Sequence, residues 1–208
     1  MISTVVSAIG LPQAFGAAPE EVFRIASRSV VVVQVHDERG RTLATGSGVV
    51  IAPERVATNC HVVRPKGLRG PRIYLAGAGR ELRNASIEQG SDGADVCILR
   101  VRHLAAPPVT AGSVAKLRVG QPIYAIGAPQ GLDLTLSGGL VSALRTIRGE
   151  LFVQTDAAIS PGSSGGGLFD SGGNLVGITT FYVQDGQNLN FAIPVDRVLQ
   201  VAGQLRNL

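Results

Sequence analysis

The sequence predicts an all-β protein, and three observations carry that prediction. Short valine-rich runs recur along the chain. They are punctuated by 27 glycines and 11 prolines, the residues that end strands and build turns. Helical periodicity is confined to the two ends. Apolar residues make up 45% of the chain and charged residues 16%, a balance that favours a compact globule over a disordered chain. At 208 residues it can fill one domain, or two small barrels sharing a core.

Taken in order, residues 1–18 form a leader or N-terminal arm. They are mildly apolar from Val5 to Leu11 and end in small residues, but lack the positive start of a secretory signal. An export signal, a replaced N-terminus and a frayed arm are the three readings. Export makes the expected location periplasmic or secreted, with the cytoplasm as the alternative. Pro19 to Ser29 predicts a short helix, with Pro19 at its start, Glu20 and Glu21 in the first turn, and Val22, Phe23, Ile25 and Ala26 as an apolar face. Val30–Val35 is a strand, and Asp37-Glu38-Arg39-Gly40-Arg41 closes a hairpin into Thr42–Ile51. Further strands are predicted at Arg55–Thr58, Ile73–Leu75, Leu82–Glu88 and Val96–Val101. Leu104–Leu117, with Pro107-Pro108, connects two halves. A second set follows at Gln121–Ala125, Leu134–Leu144, Leu151–Gln154, Gly167–Phe169, Leu175–Phe181 and Leu189–Ile193. The chain then forms a helix, Val195–Leu205, with Val195, Val198, Leu199, Ala202 and Leu205 on one face. The predicted units are 19–110, 111–194 and a C-terminal helical segment, 195–208.

The chemistry concentrates in Thr155–Phe169. There Pro161 is followed by Gly162-Ser163-Ser164-Gly165-Gly166-Gly167 between apolar segments, a run that favours neither helix nor strand. A Gly/Ser turn is the plain reading. A nucleophile loop is the functional one, with Ser164 presenting its hydroxyl and the N–H groups of Gly162 and Ser164 turned to one point. Upstream, His61 follows an apolar run in Ala57-Thr58-Asn59-Cys60-His61-Val62-Val63. Asp95 heads another in Gly93-Ala94-Asp95-Val96-Cys97-Ile98-Leu99. The order His61, Asp95, Ser164 is that of trypsin-like enzymes rather than subtilisins or α/β-hydrolases.

With these residues in place the chain resembles the trypsin-like serine peptidases of the HtrA/Deg type. The blocks that carry the resemblance are Gly46-Ser47-Gly48-Val49-Val50-Ile51, Thr58-Asn59-Cys60-His61-Val62-Val63, Ala94-Asp95-Val96, Thr155-Asp156-Ala157, Gly162-Ser163-Ser164-Gly165-Gly166 and Asn190-Phe191-Ala192-Ile193-Pro194. They stand in family order and span nearly the whole protease domain. The resemblance implies two six-stranded antiparallel β-barrels of the trypsin-like fold with short N- and C-terminal helices. It further implies a Ser-His-Asp triad in the cleft between the barrels, acting on extended or unfolded polypeptide through an acyl-enzyme. His61 would be the general base, Asp95 its orienting carboxylate, Ser164 the nucleophile, and the Gly162 and Ser164 amides the oxyanion hole. By the same resemblance Ala158 forms the base of the S1 pocket, so small-to-medium apolar P1 side chains are expected. The pocket walls come from Gly177-Ile178-Thr179-Thr180 and Asn190-Phe191-Ala192. Two departures stand out. The family usually continues beyond this point into a PDZ domain, so PDZ-mediated capture is not implied, and Ser163 replaces the usual asparagine before the nucleophile. Oligomeric state stays open.

Each of these residues has a competing reading. Asp92 is the rival carboxylate and Ser163 the rival serine, while His36 and His103 are bystanders. Cys60 and Cys97 read as two buried thiols, with a disulfide as the alternative. A metal site from Cys60, His61 and Cys97 has poor tetrahedral geometry, and Gly46-Ser47-Gly48 lacks the third glycine of a dinucleotide loop; no cofactor or metal is expected. Net charge is +4, with a local excess over Arg64, Lys66, Arg69, Arg72, Arg80 and Arg83. Without a recognition helix or basic repeat, this reads as a solvated face rather than a nucleic-acid site. No run is long enough to span a membrane. The alternative function is a non-catalytic peptide-binding module of the same fold.

Overall fold

A computed structural model describes residues 17–64, 72–76, 82–129, 133–183, 186 and 188–203. Most of the leader, Lys66, Arg69, Arg80 and Leu205 fall outside the described residues. The all-β class holds, and the helices are few.

The chain enters through α1 (Pro19–Ala26), where Pro19 occupies the first turn and Glu20 and Glu21 complement the N-terminal end of the helix dipole. Val22 and Ala26, one helical turn apart, are its buried residues. The first sheet holds β1 (Val30–His36), β2 (Thr42–Ala52), β3 (Arg55–Thr58), β4 (Arg72–Ala76), β5 (Leu82–Ser91) and β6 (Val96–Arg100). Its strand order is β1-β2-β3-β6-β5-β4, and β4 pairs back onto β1. Between β3 and β4 the chain makes one short helical turn, α2 (Cys60–Val63), which the sequence reading missed. The second sheet holds β7 (Pro122–Gly127), β8 (Thr135–Ile147), β9 (Glu150–Thr155), β10 (Gly167–Asp170), β11 (Leu175–Tyr182) and β12 (Asn190–Pro194). Its order is β10-β11-β12-β9-β8-β7, with β7 pairing back onto β10.

α3 (Val195–Gly203) buries Val195, Val198 and Val201. Leu199, expected on that face, is 41% exposed, because Val201 takes the buried place.

What fixes the two sheets against each other is a shared core. Val49, Ala57, Val96 and Ile98 from the first sheet join Ile126, Phe169, Leu175, Ile178 and Ile193 from the second, together with Val22 of α1 and Val198 of α3. Phe169 is fully buried there, and truncating such a residue to Ala typically costs about 3–5 kcal/mol. Residues carried on different sheets can therefore hold a constant separation.

Candidate active site

His61 lies on α2, whose other residues, Cys60, Val62 and Val63, are buried. That pattern turns the imidazole outward, and its side chain is 51% exposed. Asp95 closes the turn before β6 with φ of +52°, a left-handed conformation that aspartate tolerates better than most residues. The conformation lets both carboxylate oxygens face α2. Oδ1 accepts the His61 backbone N–H at 3.0 Å, and Oδ2 lies 2.7 Å from His61 Nδ1. Such a pairing holds the ring with Nδ1 protonated and leaves Nε2 as the acceptor. The rival Asp92 is engaged elsewhere, accepting from Arg64 Nη1 at 2.6 Å. His36 lies near Gln34 and Thr42, and the His103 backbone N–H donates to Glu54.

The serine loop is built from two consecutive turns. The Ser163 N–H donates to the Ser160 carbonyl, with Pro161 and Gly162 between them, and the Gly166 N–H donates to the Ser163 carbonyl, with Ser164 and Gly165 between. Gly162 has φ of +96° and Gly165 φ of +83°, the third-position conformation of a type II turn, which glycine supplies without strain. A Cβ at Gly165 would also collide with the Ser47 carbonyl and the Thr58 hydroxyl.

Several other backbone groups in this loop have partners. The Gly162 carbonyl accepts from Ser47 Oγ at 2.8 Å, and the Ser164 carbonyl from the Ser47 N–H at 2.8 Å. The Ser163 carbonyl accepts from Thr179 Oγ1, and the Gly165 N–H donates to the Thr179 carbonyl. Among the described residues, the N–H groups of Gly162 and Ser164 have no acceptor. Since backbone donors in folded proteins are almost always paired, two free N–H groups flanking one residue form a small region of positive potential.

The Ser164 hydroxyl donates to the Thr180 carbonyl at 3.1 Å, and among the described residues no hydrogen bond joins it to His61. Thr180 Oγ1 in turn donates to Asp95 Oδ2 at 3.1 Å. One hydrogen-bonded chain thus runs Ser164, Thr180, Asp95, His61.

The pocket residues divide. Thr179 and Thr180 reach the serine loop, whereas Gly177 and Ile178 lie further along the strand. Gly177 pairs with Leu168 and Pro194, Ile178 pairs with Gly167 and Ile193, and Ile178 is packed in the shared core. Antiparallel register opposite Gly167 carries the serine-facing end of β11 to Thr179–Thr180, and register is not readable from a glycine-rich loop. Ala158 is exposed, its N–H donating to Ser137 Oγ at 2.9 Å. Ala192 is buried in a core cluster with Ala157 and Val153. Beside Thr180, Phe181 stacks on Phe191 at 4.8 Å and meets Phe152 edge-on at 5.4 Å.

Cys60 and Cys97 form a disulfide. This corrects the free-thiol reading and removes the sulfurs from any metal site.

The sequence reading also missed the work of Ser47, Asn59 and Thr180. Ser47, fully buried on β2, accepts the Ala128 N–H at 2.9 Å besides its bonds to the serine loop. Asn59 Nδ2 donates to the Asp95 carbonyl at 3.0 Å. The signal for Ser47 was its place between Gly46 and Gly48; Thr180 had been read only as a pocket wall.

Comparison with known proteins agrees with this geometry. The trypsin-like peptidase domain family matches residues 46–178, a stretch that contains His61, Asp95 and Ser164. A probable periplasmic serine endoprotease, DegP-like, of Halomonas elongata is 40% identical over 182 residues, covering 84% of this chain and 37% of its own length. The chain therefore spans a little over a third of that relative. The crystal structure of a serine endoprotease from Yersinia pestis superposes with a TM-score of 0.80 at 27% identity, over 91% of this chain and 66% of that one. An HtrA-type protease, AlgW, solved with a tripeptide, superposes with a TM-score of 0.81 at 31% identity, over 90% and 63% of the two chains. The chain belongs to the trypsin-like peptidase family, and these relatives place it with the HtrA/Deg-type members.

Proposed function

We propose that the protein is a serine endopeptidase that cleaves extended or unfolded polypeptide through Ser164, His61 and Asp95. The observation that carries this reading is the pair of N–H groups, at Gly162 and Ser164, that flank the Ser163 turn residue and lack an acceptor among the described residues, in a loop whose turns are fixed by hydrogen bonds to Ser160, Ser163 and Thr179. A scissile carbonyl seated against them would gain negative charge as the tetrahedral intermediate forms. One such donor is worth about 2.7–4 kcal/mol in subtilisin.

The proton path follows from the same residues. Ser164 gives its proton to His61 Nε2 as its oxygen attacks, and the imidazolium is stabilised by Asp95. His61 then protonates the leaving amine, and water, activated by the same ring, hydrolyses the acyl-enzyme. The Ser164 hydroxyl rests on the Thr180 carbonyl, so attack requires a rotation about its Cα–Cβ bond, a motion on the ps–ns scale for an accessible side chain. A substrate backbone N–H binding to the Thr180 carbonyl would take that acceptor and release the hydroxyl. This arrangement suits an extended peptide laid along β11 as an added strand.

Ala158 brings no charge to the pocket, and the Asp156 carboxylate is already engaged with the Leu140 N–H at 2.6 Å. Small-to-medium apolar P1 side chains fit that setting, with the aromatic group around Phe181 as an apolar border. A periplasmic location follows from the relative's name and agrees with the Cys60–Cys97 bond, since disulfides persist in oxidising compartments.

Fluorophosphonate labelling tests the assignment. Wild-type protein takes the label on Ser164, while Ser164→Ala and His61→Ala do not, and peptides with P1 Val, Ala or Leu are cleaved ahead of P1 Arg. Label retained by Ser164→Ala moves the nucleophile elsewhere; a wild-type protein that binds peptide but neither labels nor cleaves is a binding module. Faster cleavage after Arg refutes the pocket reading alone.

A further inference from the structure

The two elements that carry His61 and Asp95 are joined by more than the hydrogen bonds a peptidase needs. Cys60 immediately precedes His61 on α2, Cys97 is the second residue of β6 after Asp95, and the two are bonded to each other. Both are buried in the first-sheet core with Val31, Val50, Val62 and Leu99. The site is shaped for the bond: Gly90 of β5 pairs with Cys97, and a Cβ there would stand 2.7 Å from Cys97 Sγ and 3.2 Å from Cys60 Sγ. Any side chain at residue 90 would occupy the space the sulfurs use.

Without that bond, the fastening of α2 to the Asp95 turn is left to polar contacts, among them the solvent-exposed ion pair of Arg64 with Asp92 at 2.6 Å. The Cys60 N–H reaches the Asp95 carbonyl at 3.4 Å, a long contact, and Asn59 Nδ2 reaches the same oxygen at 3.0 Å. The imidazole is half exposed, so packing does not hold it. Asp95 is itself kept in a left-handed conformation that the surrounding structure must maintain. α2 is a single helical turn of four residues, too short to be rigid by itself.

We propose that the Cys60–Cys97 disulfide is a positioning element for the His61–Asp95 pair. It ties the backbone on either side of the pair so that Nδ1 stays on the carboxylate and Nε2 stays available as the acceptor for Ser164. This inference rests on the peptidase reading, and it says that opening the bond slows the chemical step rather than weakening substrate binding, which is borne by β11 and the serine loop of the other sheet.

Two double variants test it, Cys60→Ala with Cys97→Ala and Cys60→Ala with Cys97→Val, the second restoring apolar volume without a tether. Both are compared with wild type for kcat and KM on one chromogenic peptide, for the low-field proton resonance of the His61 Nδ1–H, and for thermal unfolding. The expected result is a fall in kcat of at least about tenfold with KM within about twofold, and a broadened or lost low-field resonance, at a temperature where circular dichroism shows folded protein. Either double variant keeping kcat within about twofold and a sharp low-field resonance overturns the proposal, as does a loss expressed in KM alone.

Should the variants fail to fold, wild-type protein is treated with a dithiol. Two electrons and two protons then pass to Cys60 and Cys97 and the dithiol leaves as its cyclic disulfide; unchanged kcat in folded protein with two titratable thiols overturns the proposal equally. If wild-type protein takes no fluorophosphonate label, the peptidase reading fails, and the low-field resonance still reports whether the tether holds the imidazole on Asp95.

Discussion

The two halves of the site are held by opposite means. On the first sheet, the His61 and Asp95 side chains are 51% and 30% exposed. Two hydrogen bonds between them and a covalent bond beneath them keep them in place. On the second sheet, the Ser164 loop has no covalent tie, but backbone hydrogen bonds close its turns, which are made by Gly162 and Gly165. Under the proposed mechanism the contrast follows from what each half must do. An imidazole that moves protons has to stay open to substrate, so packing is unavailable and its backbone must be anchored. Two N–H dipoles that would meet a developing charge must not reorient, and the carbonyls of Gly162, Ser163 and Ser164 beside them are already bonded to Ser47, Gly166 and Thr179. Ser47 connects the halves, a first-sheet residue whose N–H and hydroxyl both grip the second-sheet loop.

The comparison can be broken most severely at the imidazole side. Asp95→Asn keeps the shape but favours the wrong tautomer of His61, and kcat is expected to fall about 10⁴-fold, as in the trypsin case of the same substitution. A loss below about tenfold in a steady-state assay of the folded variant would show that the carboxylate does not govern the base.

Ser47→Ala probes the other side. It leaves the Gly162 carbonyl and the Ala128 N–H without their buried partner, each such loss costing about 1–3 kcal/mol. Both lower stability in denaturant melts and a loss in kcat of about 10- to 100-fold are expected, the latter because the oxyanion donors are no longer held. Lower stability with full kcat would mean that Ser47 only fastens the barrels together.

The smallest effect is expected at Glu54, in the turn between β2 and β3 and outside the chain to His61. The His103 backbone N–H, opposed by some desolvation and helped by Arg100, holds its carboxyl below the usual value. A depressed folded-state pKa stabilises the native state above the ordinary carboxylate value, and that contribution disappears as pH falls through the depressed one. Wild type should therefore melt slightly above Glu54→Gln at neutral pH, with the gap closing on acidification and kcat unchanged throughout. A gap that widens towards acid would reverse the sign of this account.

Much of the fold was legible because its strands are short, valine-rich and bounded by glycine and proline. β3 was read with its observed ends, Arg55–Thr58, and α1 was visible from Pro19 and its acidic first turn. α2 was not, since four residues with three buried apolar side chains look like the continuation of a strand. Leu199 was misplaced because one helix face can be drawn two ways on so short a segment, and only the neighbouring sheet chooses. Which residues of β11 face the serine loop was not legible, for want of register.

The sequence by itself determined which chemistry is available, for residue types and their order along the chain are local facts: a serine among turn-forming glycines, a histidine and an aspartate each beside an apolar run. Tertiary structure alone decided which of the competing groups meet. Asp92 went to Arg64 and Asp95 to His61, Cys60 and Cys97 closed on each other across 37 residues, and Ser47 crossed from one sheet to the other sheet's serine loop. Such pairings depend on distances set by closing two sheets around a common core, a property of the whole chain that no short window of residues contains.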